Sequence, residues 1–373
     1  MKLISVVVAD SSPFVCRLLK SYLESTPDIR VIGAATNGQQ IVELVATEQP
    51  DVITLNLEMS DSSGLDALIA IQQVRPTPII IISGANVLAA SMSLEALNYG
   101  AVDFVLKFTP GQTVDPELLR QDIINKVRIA AQAKLSPLPQ IKASLPQAEL
   151  VFSSTTETKL KKFVSGLSGS AIEAQLLARA KPLPSPLPPD KIIVAGASSG
   201  GPLALRQMLG CLPEDFPGAI LVVQHLPPLF TPVLAEQLNE QVSLRVKEAG
   251  DGDKLERATV LITPGWTHLR IGPDGRVKLF SGAEAGGYCP SINVTMQSAA
   301  EVFNSRARGV LLTGMGEDGV EGMIAIRQNG GRTFAQDPDT CTVQGMPQRA
   351  IEAGVVDHIA PPEHIARLLM MGY

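Results

Sequence analysis

Residues 191–202 read Lys-Ile-Ile-Val-Ala-Gly-Ala-Ser-Ser-Gly-Gly-Pro. A short β-branched apolar run that gives way to glycines and then to Gly-Pro is the pattern of a strand turning sharply into a helix. Gly196-Ala197-Ser198-Ser199-Gly200 fits G-x-S-x-G, in which glycines permit the turn and lift the serine hydroxyl above a sheet. The helix that follows aims backbone N–H groups and the positive end of its dipole at that point, where an oxyanion would be stabilised. Ser199 and Gly200 are the candidate donors. Alone, the motif leaves three readings open: a nucleophile turn, a loop cradling a phosphate or dinucleotide, and a tight structural turn.

Two other segments bear on that choice. Gln224-His225-Leu226-Pro227-Pro228 follows the apolar run 219–223, and Thr313-Gly314-Met315-Gly316-Glu317-Asp318-Gly319 follows 309–312. In open α/β sheets the strand ends meet in one crevice, so a serine, a histidine and an aspartate distant in sequence converge there. A serine hydroxyl needs an imidazole to accept its proton and a third group to fix the ring's tautomer. Ser198, His225 and Asp318 are the candidates for those roles, and the Met315 N–H is a candidate second oxyanion donor. Against this stand an ordinary strand-end histidine at 225, a solvent-facing acidic turn at 318 with Glu317 competing for the role, and the order Ser198, Asp318, His358. A dinucleotide loop would need an acidic ribose partner at the end of the next strand, where Gln224-His225 stands instead.

The alternation extends over 191–373, with strands expected at 192–195, 220–223, 260–263, 310–313 and 332–335. A hairpin over 269–280, turning at Pro273-Asp274-Gly275, is expected as an antiparallel edge of the same sheet. A second alternation fills 1–134. Its strands are expected at 4–9, 31–34, 52–55, 79–82 and 102–106, and its helices at 14–24, 39–48, 65–74, 89–99 and 116–133. Five βα units imply a doubly wound parallel sheet, with the first strand read as its edge. Between the halves, 135–190 carries Pro137, Pro139 and Pro146 at one end and Pro182, Pro184, Pro186, Pro188 and Pro189 at the other, a semi-rigid tether with short helices expected at 157–164 and 171–179.

A chain of 373 residues is long for one core. Its net charge of −6 excludes the global basic surface that nucleic acid demands. Mean hydropathy is +0.18, yet no apolar run approaches the roughly 18 residues that span a bilayer, and the first ten residues make a poor signal peptide. Cys16, Cys211, Cys289 and Cys341 are widely spaced with no C-x-x-C pair, which points to reduced thiols in a cytosolic protein and to no metal or cofactor.

Gly-Ala-Ser-Ser-Gly-Gly, Gln-His-Leu-Pro-Pro, Thr263-Pro264-Gly265, Leu-Thr-Gly-Met-Gly-Glu-Asp-Gly and Gly345-Met346-Pro347, with Ala335-Gln336-Asp337 and Cys341, resemble in order the chemotaxis protein-glutamate methylesterase family, CheB. The resemblance implies a doubly wound, Rossmann-like catalytic domain that hydrolyses glutamyl methyl esters on the cytoplasmic helices of chemoreceptors and deamidates receptor glutamines. Carried over by position, Ser198 is the nucleophile, His225 the base and Asp318 its orienting acid. Cys289 and Asn293 depart from the family's more usual arginine and aspartate, a change expected to affect substrate docking or a local ion pair without touching the triad.

The N-terminal half resembles the flavodoxin-like receiver domain of the same family, which implies a chemotaxis histidine kinase as a further partner. Asp10, Ser83 and Lys107 match the family's pocket, but Asn56 stands where the phosphorylated aspartate belongs, and Ser11 replaces the second member of the acidic pair. An amide cannot form an acyl phosphate, and the loss of two of three acids weakens magnesium binding. Phe108, where proline is usual, is a further departure. Three readings of this half compete: a phosphorylation-blind receiver that covers or positions the esterase, an inert spacer, and a receiver using another acid such as Asp61. For the whole chain the leading expectation is a cytoplasmic methylesterase and glutaminase; the alternative is a non-catalytic scaffold that binds receptors.

Overall fold

The computed structural model describes residues 3–59, 64–107, 115–135, 188–282 and 287–371. They fall into two compact units, one ending at residue 135 and the other beginning at 188. The expected helices at 157–164 and 171–179, most of the proline-rich tether, Asp61 and Phe108 lie outside the described residues.

In the first unit five strands alternate with five helices: β1 (Ile4–Ala9), α1 (Pro13–Leu23), β2 (Ile29–Ala35), α2 (Gly38–Glu48), β3 (Val52–Leu55), α3 (Gly64–Val74), β4 (Ile79–Ser83), α4 (Val87–Asn98), β5 (Asp103–Leu106) and α5 (Pro116–Ala130). The strands are parallel, in the order β2-β1-β3-β4-β5. This corrects the reading of the first strand as an edge: β1 lies between β2 and β3. Both faces of it are covered, so Val6 to Ala9 are fully buried and show no alternation that would mark a side. Ser12 starts α1 by accepting the Val15 N–H, and Pro13 supplies a preset φ in the first turn.

The second unit runs β6 (Ile192–Ala197), α6 (Gly201–Leu209), β7 (Ala219–Gln224), α7 (Thr231–Gln241), β8 (Arg245–Glu248), β9 (Thr259–Ile262), β10 (His268–Ile271), β11 (Val277–Phe280), α8 (Ile292–Phe303), β12 (Ala307–Leu311), α9 (Val320–Gln328), β13 (Arg332–Gln336), α10 (Gly345–Glu352), β14 (His358–Ala360) and α11 (Pro362–Met370). Seven parallel strands are ordered β14-β13-β12-β6-β7-β9-β8. The strand order reverses at β6, which has β7 on one side and β12 on the other, and a crevice opens outside its carboxyl end. Ser198 is the residue at that opening.

Three expectations change here. The hairpin is a separate antiparallel pair, β10 with β11, and not an edge of the main sheet. Strand β12 ends at Leu311 because Thr313 is already turned, its N–H donated to the Gln336 Oε1 at 2.8 Å. The edges are β8, a polar Arg-Val-Lys-Glu, and β14, three residues long, both too short or too polar to register as apolar runs.

Helix α8 lies close on the middle of the sheet. A Cβ at Gly196 would come within 2.5 Å of Ile292, and one at Gly322 within 2.5 Å of Met296, so glycine at both positions sets the helix's distance from β6 and α9. Ile292, Met296, Met323 and Ile326 are fully buried in the shared cluster, each contributing about 1.5–3 kcal/mol of apolar burial. The start of α8 is thereby anchored to the core, directly beneath the crevice.

Candidate active site

Ser198 and His225 follow the last paired residues of adjacent strands, Ala197 and Gln224, and the His225 N–H donates to the Ala197 carbonyl at 3.1 Å. Ser198 sits in a turn fixed on every side. Its N–H donates to the Thr313 carbonyl at 3.0 Å, and its own carbonyl accepts from the Gly201 N–H at 2.8 Å and the Gln224 Nε2 at 2.9 Å. Gly200 has φ +76°, and a Cβ there would come within 2.7 Å of Thr342, so both the backbone and the space call for glycine. Helix α6 begins at this turn with no side-chain cap on its N-terminal N–H groups.

His225 Nε2 lies 2.9 Å from Asp318 Oδ2. Asp318 is 1% exposed and accepts three further hydrogen bonds: from the Ser291 hydroxyl at 3.1 Å, the Ile292 N–H at 2.7 Å and the Asn293 N–H at 3.0 Å. The last two are the first N–H groups of α8, where the helix dipole also favours an anion. Burial works to raise the Asp318 pKa, but the His225 hydrogen bond and charge, with the two backbone donors, outweigh it and hold the carboxyl below its ordinary range. With Asp318 on Nε2, the ring's Nδ1 is the nitrogen left to accept a proton. The carboxylate therefore fixes the tautomer from the opposite ring nitrogen to that in the chymotrypsin template.

Glu317 is exposed, and it is Asp318 that meets the imidazole. His358 belongs to β14, three strand positions from β6, with its ring stacked on Phe334 at 5.3 Å, and is no member of the site. His268 is buried with its Nε2 3.0 Å from the Gly282 carbonyl. Gly314 packs on Ser198, since a Cβ there would lie 2.7 Å from the serine Cβ, and this brings Met315 beside the turn that carries Ser198. The Thr313 hydroxyl, 3.0 Å from the carbonyls of both Ser199 and Val343 and accepting the Val343 N–H at 2.9 Å, ties three loops together.

Tyr288, and the hydrogen bonds of Asn293, escape the sequence reading. Tyr288 stacks on His225 with ring centroids 5.0 Å apart and an interplanar angle of 13°, its hydroxyl pressed against Gly316. Asn293 reaches Asp318 through its backbone N–H, a contact that any residue but proline would make. Its Oδ1 also accepts the N–H groups of Gly319 and Gly322 at 2.9 and 2.8 Å. The available signal was Pro290-Ser291 before an apolar run, a helix start that marks Ser291 as an N-cap.

In the first unit, Asp10 is buried at the end of β1. Its Oδ2 accepts from Lys107 Nζ at 2.6 Å and its Oδ1 from the Ser12 N–H at 2.9 Å. Asn56 turns onto its own loop: its Oδ1 accepts the Glu58 N–H at 3.0 Å and its Nδ2 donates to the Glu58 carbonyl at 3.3 Å. Ser11 Oγ donates to the same carbonyl at 3.4 Å, while Ser83 Oγ, at the end of β4, faces α4, 3.4 Å from the Ala89 carbonyl and accepting from the Ser93 hydroxyl at 2.8 Å. Among the described residues no three His, Cys, Asp or Glu side chains gather as metal ligands, and no helix is long and apolar enough to cross a membrane.

Residues 193–369 match the family model described as CheB methylesterase, and residues 6–117 match that of the response regulator receiver domain. A protein-glutamate methylesterase/protein-glutamine glutaminase of Symbiobacterium thermophilum is 38% identical over 363 residues, 97% of this chain and 95% of the relative. One of the same name from Caldanaerobacter subterraneus subsp. tengcongensis is 39% identical over 377 residues, 99% of this chain and 96% of the relative. Among solved structures, the Thermotoga maritima CheB methylesterase catalytic domain is 39% identical, covering 49% of this chain and 98% of its own, with a TM-score of 0.47. The response regulator domain of Thermotoga maritima CheB is 33% identical, covering 36% of this chain and 99% of its own, with a TM-score of 0.32.

Proposed function

The chain belongs to the CheB methylesterase family and is a protein-glutamate methylesterase and protein-glutamine glutaminase; we propose that Ser198, His225 and Asp318 carry both reactions. The observation that supports this most is the 2.9 Å contact of a buried, helix-held Asp318 with His225, which stands on the strand tip adjoining that of Ser198. Ser198 Oγ attacks the γ-carbonyl carbon of a glutamyl methyl ester as His225 Nδ1 takes its proton. The tetrahedral oxyanion is met by backbone N–H groups of Ser199, Gly200 and Met315. Asp318 steadies the imidazolium. The proton then passes from His225 to the departing methoxide, releasing methanol, or to the amine when the substrate is glutamine, releasing ammonia. Water, deprotonated by the same ring, cleaves the acyl-serine to free glutamate.

The substrates on this reading are the cytoplasmic helices of methyl-accepting chemoreceptors, and the protein works in the cytoplasm. Residues 1–134 form the regulatory domain, 135–190 the tether and 191–373 the catalytic domain. The regulatory domain is a receiver that takes no phosphoryl group at Asn56. Methanol release from methylated receptor fragments tests the assignment: Ser198→Ala lowers the rate at least about 10³-fold, and equal release by both proteins rejects Ser198 as nucleophile.

A further inference from the structure

Trp266 is the single tryptophan of the chain. It stands in the loop after β9 with φ +56°, and 40% of its surface is in water. For a bulky residue that backbone is an outlier, and such strain clusters where function requires it. Glycine would relax the backbone and a core position would bury the ring. Trp266 has neither advantage.

The loop's position is firmly set. The Thr263 N–H donates to the Val222 carbonyl at 2.8 Å, so the chain leaves β9 alongside β7. The Gly265 N–H donates to Thr231 Oγ1 at 3.2 Å, and a Cβ at Gly265 would lie 2.4–2.6 Å from the backbone of Leu226, Pro227 and Pro228. Trp266 is therefore displayed beside the loop that begins at His225. Met315, 50% exposed, is displayed beside Ser198. Two exposed apolar side chains thus stand at the carboxyl ends of the same sheet as the reacting groups, Trp266 on the loop after β9 and Met315 on the loop after β12, with β6 and β7 between them.

We infer that Trp266 determines specificity: it contacts the protein carrying the ester, packing on an aliphatic side chain one helical turn from the esterified glutamate. This rests on the esterase reading above. A methyl ester offers little to grip, so binding at a distance from the reacting bond must position it. A tryptophan supplies a large, rigid apolar surface for that purpose. A side chain three or four residues along a helix lies on the same face as the glutamate.

Because the chain has no other tryptophan, its fluorescence reports this one residue. In the full-length Ser198→Ala protein, titration with a tryptophan-free methylated receptor fragment shifts the emission saturably, and adding Trp266→Gly weakens binding about tenfold by calorimetry. In the active enzyme, kcat/KM is compared on that fragment and on a blocked glutamate γ-methyl ester. Trp266→Gly lowers the ratio of the two about tenfold, through KM for the fragment, and Trp266→Phe keeps it within about threefold of wild type. An unchanged ratio in Trp266→Gly, or emission that does not move at fragment concentrations shown by calorimetry to saturate, overturns the proposal. Hydrolysis of the small ester by Ser198→Ala would defeat the nucleophile assignment instead.

Discussion

Asp318 and Asn293 hold each other in place: the Asn293 N–H donates to Asp318 Oδ1 at 3.0 Å, and the Asn293 Oδ1 accepts the N–H of Gly319, the next residue after Asp318, at 2.9 Å. Gly319 opens α9 with φ +104° and brings no capping side chain of its own. Asn293 supplies the cap from another helix and so holds both the Asp318 carboxylate and the peptide that follows it.

Removing that cap should therefore act on catalysis more than on binding. Asn293→Ala leaves the Gly319 and Gly322 N–H groups without their acceptor, at a cost of about 1–2 kcal/mol in stability. It also frees Asp318 to drift from His225, and kcat falls about 10–100-fold with KM unchanged. Asn293→Asp, which keeps an acceptor oxygen in the same place, restores kcat to within about threefold of wild type. Steady-state kinetics of the three proteins decide the matter, and a wild-type kcat in the alanine variant removes the positioning role.

The electrostatics of Asp318 make a separate prediction in pH. Its folded pKa is held below the unfolded reference of about 3.9. A group of that kind binds more protons when unfolded. Its stabilisation is therefore complete above the unfolded value and is withdrawn as pH falls through the folded one. Asp318→Asn removes the charge-assisted bonds, so wild type should exceed it by about 1.5–3 kcal/mol at pH 7. The gap should narrow from about pH 4 downward, as measured by urea unfolding of both proteins across pH 2–7. A gap independent of pH would mean that the carboxylate is not the stabilising form.

The parts of this architecture that rest on local repetition are legible in the chain. Buried parallel strands read as apolar runs, and Ser198 and His225 each stand just beyond one while Asp318 closes the glycine-rich loop after another, so the loops at the strand tips could be named from spacing. What escapes reading depends on elements distant in sequence. Asn293 looks like a lost charge until α8 and α9 are seen to share it, and Tyr288 precedes a helix with nothing to show that its ring will cover an imidazole. The order of strands is equally silent: β1 is buried on both sides, so its central place left no mark on residues 4–9. Backbone strain at Trp266 is invisible without coordinates, since glycine and tryptophan differ in what they can adopt and not in what the neighbouring residues announce.

The first unit yields the last prediction. Phosphoryl transfer to a receiver needs an anionic carboxylate at the carboxyl end of β3, and Asn56 offers an amide whose two ends are already bonded to Glu58. The one matched acid, Asp10, is engaged by Lys107 at 2.6 Å, and Ser11 contributes a hydroxyl where a second carboxylate would attract a divalent cation. Incubation with acetyl phosphate and magnesium should leave a single unshifted band in Phos-tag electrophoresis and methanol release within about 1.5-fold of the untreated rate. The double variant Ser11→Asp, Asn56→Asp returns both carboxylates and should acquire a shifted band that hydroxylamine removes, as expected of an acyl phosphate. A hydroxylamine-sensitive band in the wild-type protein would show that another carboxylate takes the phosphoryl group, and the phosphorylation-blind reading of residues 1–134 would fall.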